Sequence, residues 1–252
     1  LLTRRAQGGT GSSATSPSDC AGAIVSSGRE AKLSPMAAVG IDVGSTTAKV
    51  VVVGPDGQLE GSRVVRHGGR PLGSVQDLLA QLGAAETQGP RGITGSIGLG
   101  LAEQLAATPL HEVQALTRNV QALHPAVGSV VELGGQDAKI ITFAADGGGG
   151  VELQMNDRCA AGTGATIDRV LRRLGLPSHA LAELVLSGDL QVAAKCGVFA
   201  ETDIVNLMQS GATPVEALSA LARAIVLQNL AARARGRVLR PPVLLLGGPH
   251  AH

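Results

Sequence analysis

The chain has 252 residues, about one and a half average domains, and its 44% hydrophobic and 16% charged composition is that of a folded protein. A net charge of +1, with basic residues spread along the chain, excludes an electrostatic nucleic-acid footprint, and two Phe without Tyr or Trp exclude aromatic cages and base-stacking platforms. No apolar run approaches the ~18 residues of a bilayer span, so the chain reads as soluble, with neither nucleic acid nor membrane as a partner.

Residues 1–36 are rich in Gly, Ser and Thr and lack any apolar periodicity, so they are expected to form a disordered tail. Met36 stands directly before the first apolar strand and reads as the natural start. From Ala37 the pattern sharpens. AAVGIDVG and TTAKVVVVG are short apolar runs, PDG is a turn, and QLEGSRVVRH is a third strand. SVQDLLAQLGAAE predicts an amphipathic helix, RGITG a buried strand, and LGLAEQLA and HEVQALTRNVQALH two more helices. VGSVVELGG, DAKIITFA and VELQM are strands, with DGGGG turning between the last two. ATIDRVLRRLG, HALAELVLSG, ETDIVNLMQSG and PVEALSALARAIVLQNLAARAR are helices, and PPVLLLGG is a final strand. Strands followed by helices, twice over, predict two α/β lobes, residues 37–127 and 128–252.

The two lobes share a motif. IDVGSTTAKVVVVGPDG aligns without gaps on VELGGQDAKIITFAADG, displaced by ninety residues, with Gly44 on Gly134, Ala48 on Ala138, Lys49 on Lys139, Asp56 on Asp146 and Gly57 on Gly147. A hairpin tip built of Gly, Ser and Thr (Gly44, Ser45, Thr46, Thr47; Gly134 and Gly135 in the second copy) presents backbone N–H groups and hydroxyls that suit phosphate. Asp42 and Asp137, read as equivalent in the two copies, are expected to face one another across a polyphosphate with Mg²⁺ between them. The plainer alternative is a pair of ordinary turns, with Asp and Gly present for turn geometry. Neither a P-loop nor a dinucleotide fingerprint occurs. The pair Gly247 and Gly248 closes the last strand and would let a flat ligand lie against the backbone; a plain strand-to-helix turn reads equally well there.

Three cysteines make no disulfide framework, and a reducing, cytoplasmic setting follows. Cys20 falls in the tail. Cys159 (NDRCAAGTG) and Cys196 (AAKCGVF) each precede a predicted helix among small residues, where the helix dipole favours a thiolate. Thirty-six residues lie between them, so neither a zinc ribbon nor a CxxC pair fits. Two thiolates are half of what an iron–sulfur cluster needs, and a two-fold dimer would supply the rest. Buried, inert cysteines remain the simpler reading of these residues alone.

GIDVGSTTAK, ITGS, VVELGGQDAK, MNDRCAAGTG, KCGVFAETDIVNLMQSG and LLLGGP, in this order, resemble the ATP-dependent activators of 2-hydroxyacyl-CoA dehydratases and the related ATPase subunits of benzoyl-CoA reductase. The resemblance implies the α/β actin-like ATPase fold of acetate kinase, sugar kinases and Hsp70, two ribonuclease-H-like lobes closing on ATP. It implies a homodimer sharing one [4Fe-4S] cluster, with Cys159 and Cys196 as the ligands from each subunit. It further implies a reduced ferredoxin or flavodoxin as electron donor and a 2-hydroxyacyl-CoA dehydratase or benzoyl-CoA reductase-like component as acceptor, which forms a ketyl radical from the acyl-CoA. ATP binding and hydrolysis would change the angle between the lobes. Asp42 and Asp137 would handle Mg²⁺, with Gly44, Ser45, Thr46, Gly134 and Gly135 on the phosphates of ATP/ADP and Lys49 and Gln136 orienting phosphate or water.

Four departures stand out. ITGSIGLG lacks the aromatic and basic residues that often follow ITG in the family, the Met-less start is foreign to it, and His250 stands where an Asn is expected after the glycines. Family members also continue past LLLGGP with a further helix and strand, so the second lobe reads as C-terminally incomplete and ATP binding as weakened. Two other readings use the same residues: a sugar or N-acetylhexosamine kinase of this fold, which has no need of the two cysteines, and a non-autonomous module of a larger multidomain activator.

Overall fold

A valine-rich strand can bury only one face in a hairpin, and Thr47–Val53 does so by alternation: Ala48, Val50 and Val52 point into the core. The computed structural model describes residues 25–27, 33–144, 150–155, 164–184, 190–192, 197–234 and 239–248. These divide into two units that part between Asn119 and Val120.

In the first unit, β2 (Ala38–Val43), β3 (Thr47–Val53) and β4 (Leu59–Arg66) form an antiparallel meander. β5 (Arg91–Thr94) lies parallel to β2 on its other side, and β6 (Thr108–Pro109) parallel to β5. Val25–Ser27 adds a further strand, β1, antiparallel to β4, so the sheet order is β1-β4-β3-β2-β5-β6. That short strand corrects the expectation that everything before Ala37 stays outside the fold. The side of β4 that faces away from β3 would without β1 carry free backbone groups, and these are a template for an extended segment within reach. The helix α1 (Pro71–Gln81) packs Val75, Leu78 and Leu79 onto Val39, Ile41, Val50, Val52 and Ile93. It begins three residues before the predicted start, because Pro71 suits the first helical turn. The predicted helix LGLAEQLA is only a 3₁₀ turn, Gly98–Leu101.

The helix α2 (Glu112–Leu123) spans the division between the units. In the second unit β7 (Ser129–Leu133), β8 (Ala138–Phe143) and β9 (Val151–Met155) are antiparallel neighbours, and β10 (Val243–Leu246) lies parallel to β7, giving the order β10-β7-β8-β9. This repeats the order β5-β2-β3-β4 of the first sheet, strand direction included. The sheet is joined by α3 (Gly164–Leu174), α4 (Gly197–Gln209) and α5 (Pro214–Ala234). Ile167, Val170, Leu171, Ala200, Ile204, Leu218, Leu221 and Ile225 form a core among these helices. The first part of the predicted helix HALAELVLSG is a 3₁₀ segment, Ser178–Glu183, and its last four residues lie outside the described residues. The start of α5 is fixed by reciprocal bonds. The Thr213 N–H donates to Glu216 Oε2 at 2.8 Å and the Glu216 N–H donates to Thr213 Oγ1 at 3.3 Å, a capping box. No described helix is long and apolar enough to cross a membrane.

Candidate functional site

Each hairpin tip is a four-residue turn closed in the same way. The Gly44 N–H donates to the Thr47 carbonyl at 3.0 Å, and ninety residues later the Gly134 N–H donates to the Asp137 carbonyl at 2.7 Å. Behind each tip stands a cross-strand pair. Asp42 is opposite Lys49 and Glu132 opposite Lys139, and both pairs are ionic, at 2.5 Å and 3.2 Å. The counterpart of Asp42 is therefore Glu132, and the counterpart of Asp137 is Thr47. This corrects the expected equivalence of Asp42 and Asp137: one sits on a strand behind its tip and the other within its tip. The gapless alignment itself places Asp42 on Glu132, so the signal is present in the sequence. Of the other tip residues, Ser45, Thr46 and Thr47 are half-buried and Gln136 is exposed. Lys49 reaches Asp42 rather than projecting freely from the strand.

The duplication extends to the strand parallel to each hairpin. Gly95 follows β5 with φ +96°, and a Cβ there would overlap the Val43 carbonyl oxygen and lie 2.6 Å from Asp42 Oδ1. Gly247 follows β10 with φ +102°, and its Cβ would overlap the Leu133 carbonyl oxygen and lie 2.6 Å from the carbonyl carbon. Val43 and Leu133 are equivalent, so ITG and LLLGG make one and the same approach to the base of each tip. Only glycine permits that approach with this backbone. The pair Gly247 and Gly248 thus divides: Gly247 answers to packing against Leu133, while a Cβ on Gly248 would meet nothing.

The donor set around Asp42 suits a divalent ion. Thr94 is the register partner of Asp42 on β5, and its hydroxyl oxygen is buried without a hydrogen-bond partner. A Mg²⁺ held by one or two carboxylates, water and the substrate's own phosphates needs no larger protein cage. Among the described residues no group of three or more His, Cys, Asp or Glu gathers to hold a metal. Cys159 and Cys196 lie outside the described residues. In the chain, Cys196 directly precedes the first residue of α4, and Cys159 comes five residues before the first residue of α3. The two helices are tied by Arg169, which donates to Glu201 at 2.6 Å. The start of α3 is bonded in turn to the second tip: the Gly164 N–H donates to the Gly134 carbonyl at 2.9 Å, and the Ala165 N–H to the Gly135 carbonyl at 2.8 Å.

Residues 39–252 match the model of the BadF/BadG/BcrA/BcrD ATPase family. The chain belongs to this family. Among its relatives is the (R)-2-hydroxyglutaryl-CoA dehydratase activating ATPase of Acidaminococcus fermentans, 26% identical over 215 residues, which are 83% of this chain and 82% of the relative. The activator of lactoyl-CoA dehydratase of Anaerotignum propionicum is 30% identical over 183 residues, 70% of this chain and 69% of the relative. The crystal structure of the Acidaminococcus fermentans (R)-2-hydroxyglutaryl-CoA dehydratase component A superposes with a TM-score of 0.72 at 26% identity, covering 86% of this chain and 85% of that one. The activator of the 2-hydroxyisocaproyl-CoA dehydratase from Clostridium difficile, solved with bound ADPNP, superposes with a TM-score of 0.73 at 22% identity over 86% and 81% of the two chains. The family member described here has their fold, that of the actin-like ATPases, in keeping with its repeated strand order.

Proposed function

We propose that this chain is an ATP-hydrolysing activator that delivers one low-potential electron to a 2-hydroxyacyl-CoA dehydratase or a benzoyl-CoA reductase-like component. It works as a homodimer in which Cys159 and Cys196 of each subunit ligate one shared [4Fe-4S] cluster, and it receives its electron from reduced ferredoxin or flavodoxin. The names of its relatives, activators of (R)-2-hydroxyglutaryl-CoA and lactoyl-CoA dehydratases, support the activator role. The observation that carries the reading is the bonding of Gly134 and Gly135 to the first two amides of α3. It joins a tip suited to phosphate to the helix that follows Cys159.

When bound, the cluster supplies a one-electron carrier whose potential is set by its ligands and surroundings. The chain's own residues do the rest. The amides and hydroxyls of Gly44, Ser45, Thr46 and Thr47, and the amides of Gly134 and Gly135, bind phosphate oxygens. Asp42 and Asp137 hold Mg²⁺ directly or through water, offsetting charge that develops as the phosphoryl group transfers. Lys49 and Gln136 orient phosphate or the attacking water, and the open side of Gly248 accommodates a flat group such as the adenine. Gaining or losing the terminal phosphate changes what the second tip is bonded to. The Gly134 and Gly135 carbonyls transmit that change to α3, and the Arg169–Glu201 pair carries it to α4. Both cysteine-bearing segments thereby respond to the state of the nucleotide.

The test is anaerobic activation of an inactive, as-isolated 2-hydroxyacyl-CoA dehydratase. Dehydration should require this chain, MgATP and a reductant together, and should fail when ADPNP replaces ATP. Equal turnover without the chain, or with ADPNP, overturns the reading.

A further inference from the structure

The two tips perform the same task with different backing, and the difference isolates a residue. Behind the second tip, the carbonyl of Gly134 is held by the first amide of α3. Behind the first tip no helix begins at that place. The chain leaving β4 instead supplies His67, whose side chain is buried, and whose Nε2 lies 3.2 Å from the Gly44 carbonyl, the equivalent of Gly134. The backbone N–H of His67 donates to the Thr46 carbonyl at 3.2 Å. Its Nδ1 accepts the Gly69 N–H at 3.2 Å. These partners assign the tautomer, because Nδ1 must be the acceptor and Nε2 the N–H facing a carbonyl oxygen.

We infer that His67 is a positioning residue for nucleotide phosphate at the first tip. The inference rests on the proposal above that this tip binds ATP. A trans peptide is planar, so the carbonyl of one residue and the N–H of the next point in opposite directions. With the Gly44 carbonyl turned to the ring of buried His67, the Ser45 N–H on the far side of the same peptide points away from it. That amide is then preorganised for an anion before one arrives, which saves the cost of orienting it on binding. His67 does for the first tip what the opening amides of α3 do for the second, and it never touches the ligand. Its work is directed at the ground-state complex with phosphate, so it should act on affinity and not on the chemical step.

The experiment compares His67→Ala, His67→Gln and His67→Asn in the full chain, with MgATP as the probe. The Gln amide nitrogen reaches as far as the ring Nε2 and restores a donor to Gly44. The Asn side chain reaches only as far as Nδ1 and restores a partner to Gly69 alone. His67→Ala should raise KM for MgATP roughly ten- to a hundredfold, the cost of an unanswered, half-buried carbonyl and a loosened tip. The kcat at saturation should stay within about threefold. His67→Gln should recover most of the lost affinity, and His67→Asn should resemble His67→Ala. If His67→Ala fails to fold, the Gln and Asn variants carry the comparison by themselves. A wild-type KM in His67→Ala, or recovery by Asn and not by Gln, overturns the inference and leaves His67 as a brace for the corner between β4 and α1. Absence of hydrolysis by the wild-type chain overturns the proposed function and this inference with it, whereas wild-type hydrolysis with an indifferent His67→Ala overturns this inference alone.

Discussion

Asp42 and Glu132 occupy equivalent positions and meet equivalent lysines, yet their loss should cost very different amounts. The Lys139 side chain is 3% exposed and Glu132 19%, whereas Lys49 is 44% exposed and Asp42 32%. Removing Glu132 leaves the Lys139 ammonium in a low-dielectric site without its carboxylate, and breaking a buried pair in this way costs about 3–5 kcal/mol. Because Glu132 is partly hydrated and Lys139 makes a further interaction, about 3 kcal/mol is the appropriate end of that range. The exposed pair is worth about 0–1 kcal/mol, since water already solvates both groups. With a shift of about 2–4 °C per kcal/mol for a chain of this size, Glu132→Ala should melt roughly 6–12 °C below wild type and Asp42→Ala at most about 4 °C below. The double replacement Glu132→Leu with Lys139→Met removes both charges and should return most of the loss. Thermal unfolding, supported by urea midpoints at constant slope, reads all three. Equal shifts for the two acids, or no recovery in the double variant, would refute the argument that burial sets the cost.

Asp42→Asn should cut MgATP hydrolysis by roughly a hundredfold or more while changing ATP affinity by less than about threefold, because the metal chiefly offsets transition-state charge; paired titration and phosphate-release assays check it. Cys159→Ser and Cys196→Ser, purified anaerobically, should each lose iron and visible absorbance, while Cys20→Ser should keep both; a Ser variant of either ligand with full iron content would remove that residue from the cluster. Glu216 has its pKa lowered from the ordinary 4.5 by the Thr213 backbone N–H and then by the Thr213 hydroxyl. A lowered folded-state pKa gives stability that is fully present above the unfolded value and lost as pH falls through the folded one. Glu216→Ala should therefore melt below wild type at pH 7 and converge on it in acid, and a gap that persists unchanged in acid would contradict the capping role.

Hairpins are local, and for that reason much of the fold is legible in the sequence. The Val-rich alternation of 47–53, the turn at PDG and the ninety-residue repeat require only neighbouring residues and a self-comparison. Elements set by distant partners are less visible. LGLAEQLA and the start of HALAELVLSG have helical spacing, yet the chain forms 3₁₀ turns at Gly98–Leu101 and Ser178–Glu183. The short strand Val25–Ser27 has no meaning without the edge of β4 that it joins. Glu132 is easily passed over beside Asp137, although the repeat sets it on Asp42. Gly95 and Gly247 belong to motifs that look unrelated along the chain, and only the carbonyls of Val43 and Leu133 reveal them as the same feature. His67 carries no signal at all: a lone histidine after a strand acquires its role from Gly44, twenty-three residues earlier.

The most direct measurement is iron, sulfide and MgATP hydrolysis on a single anaerobically purified sample. The expected result is a brown protein with about two irons and two sulfides per chain, the content of one [4Fe-4S] cluster shared by two subunits, and ADP formation by that same protein. A colourless, iron-free protein that forms ADP only when a sugar is added would contradict the proposed function.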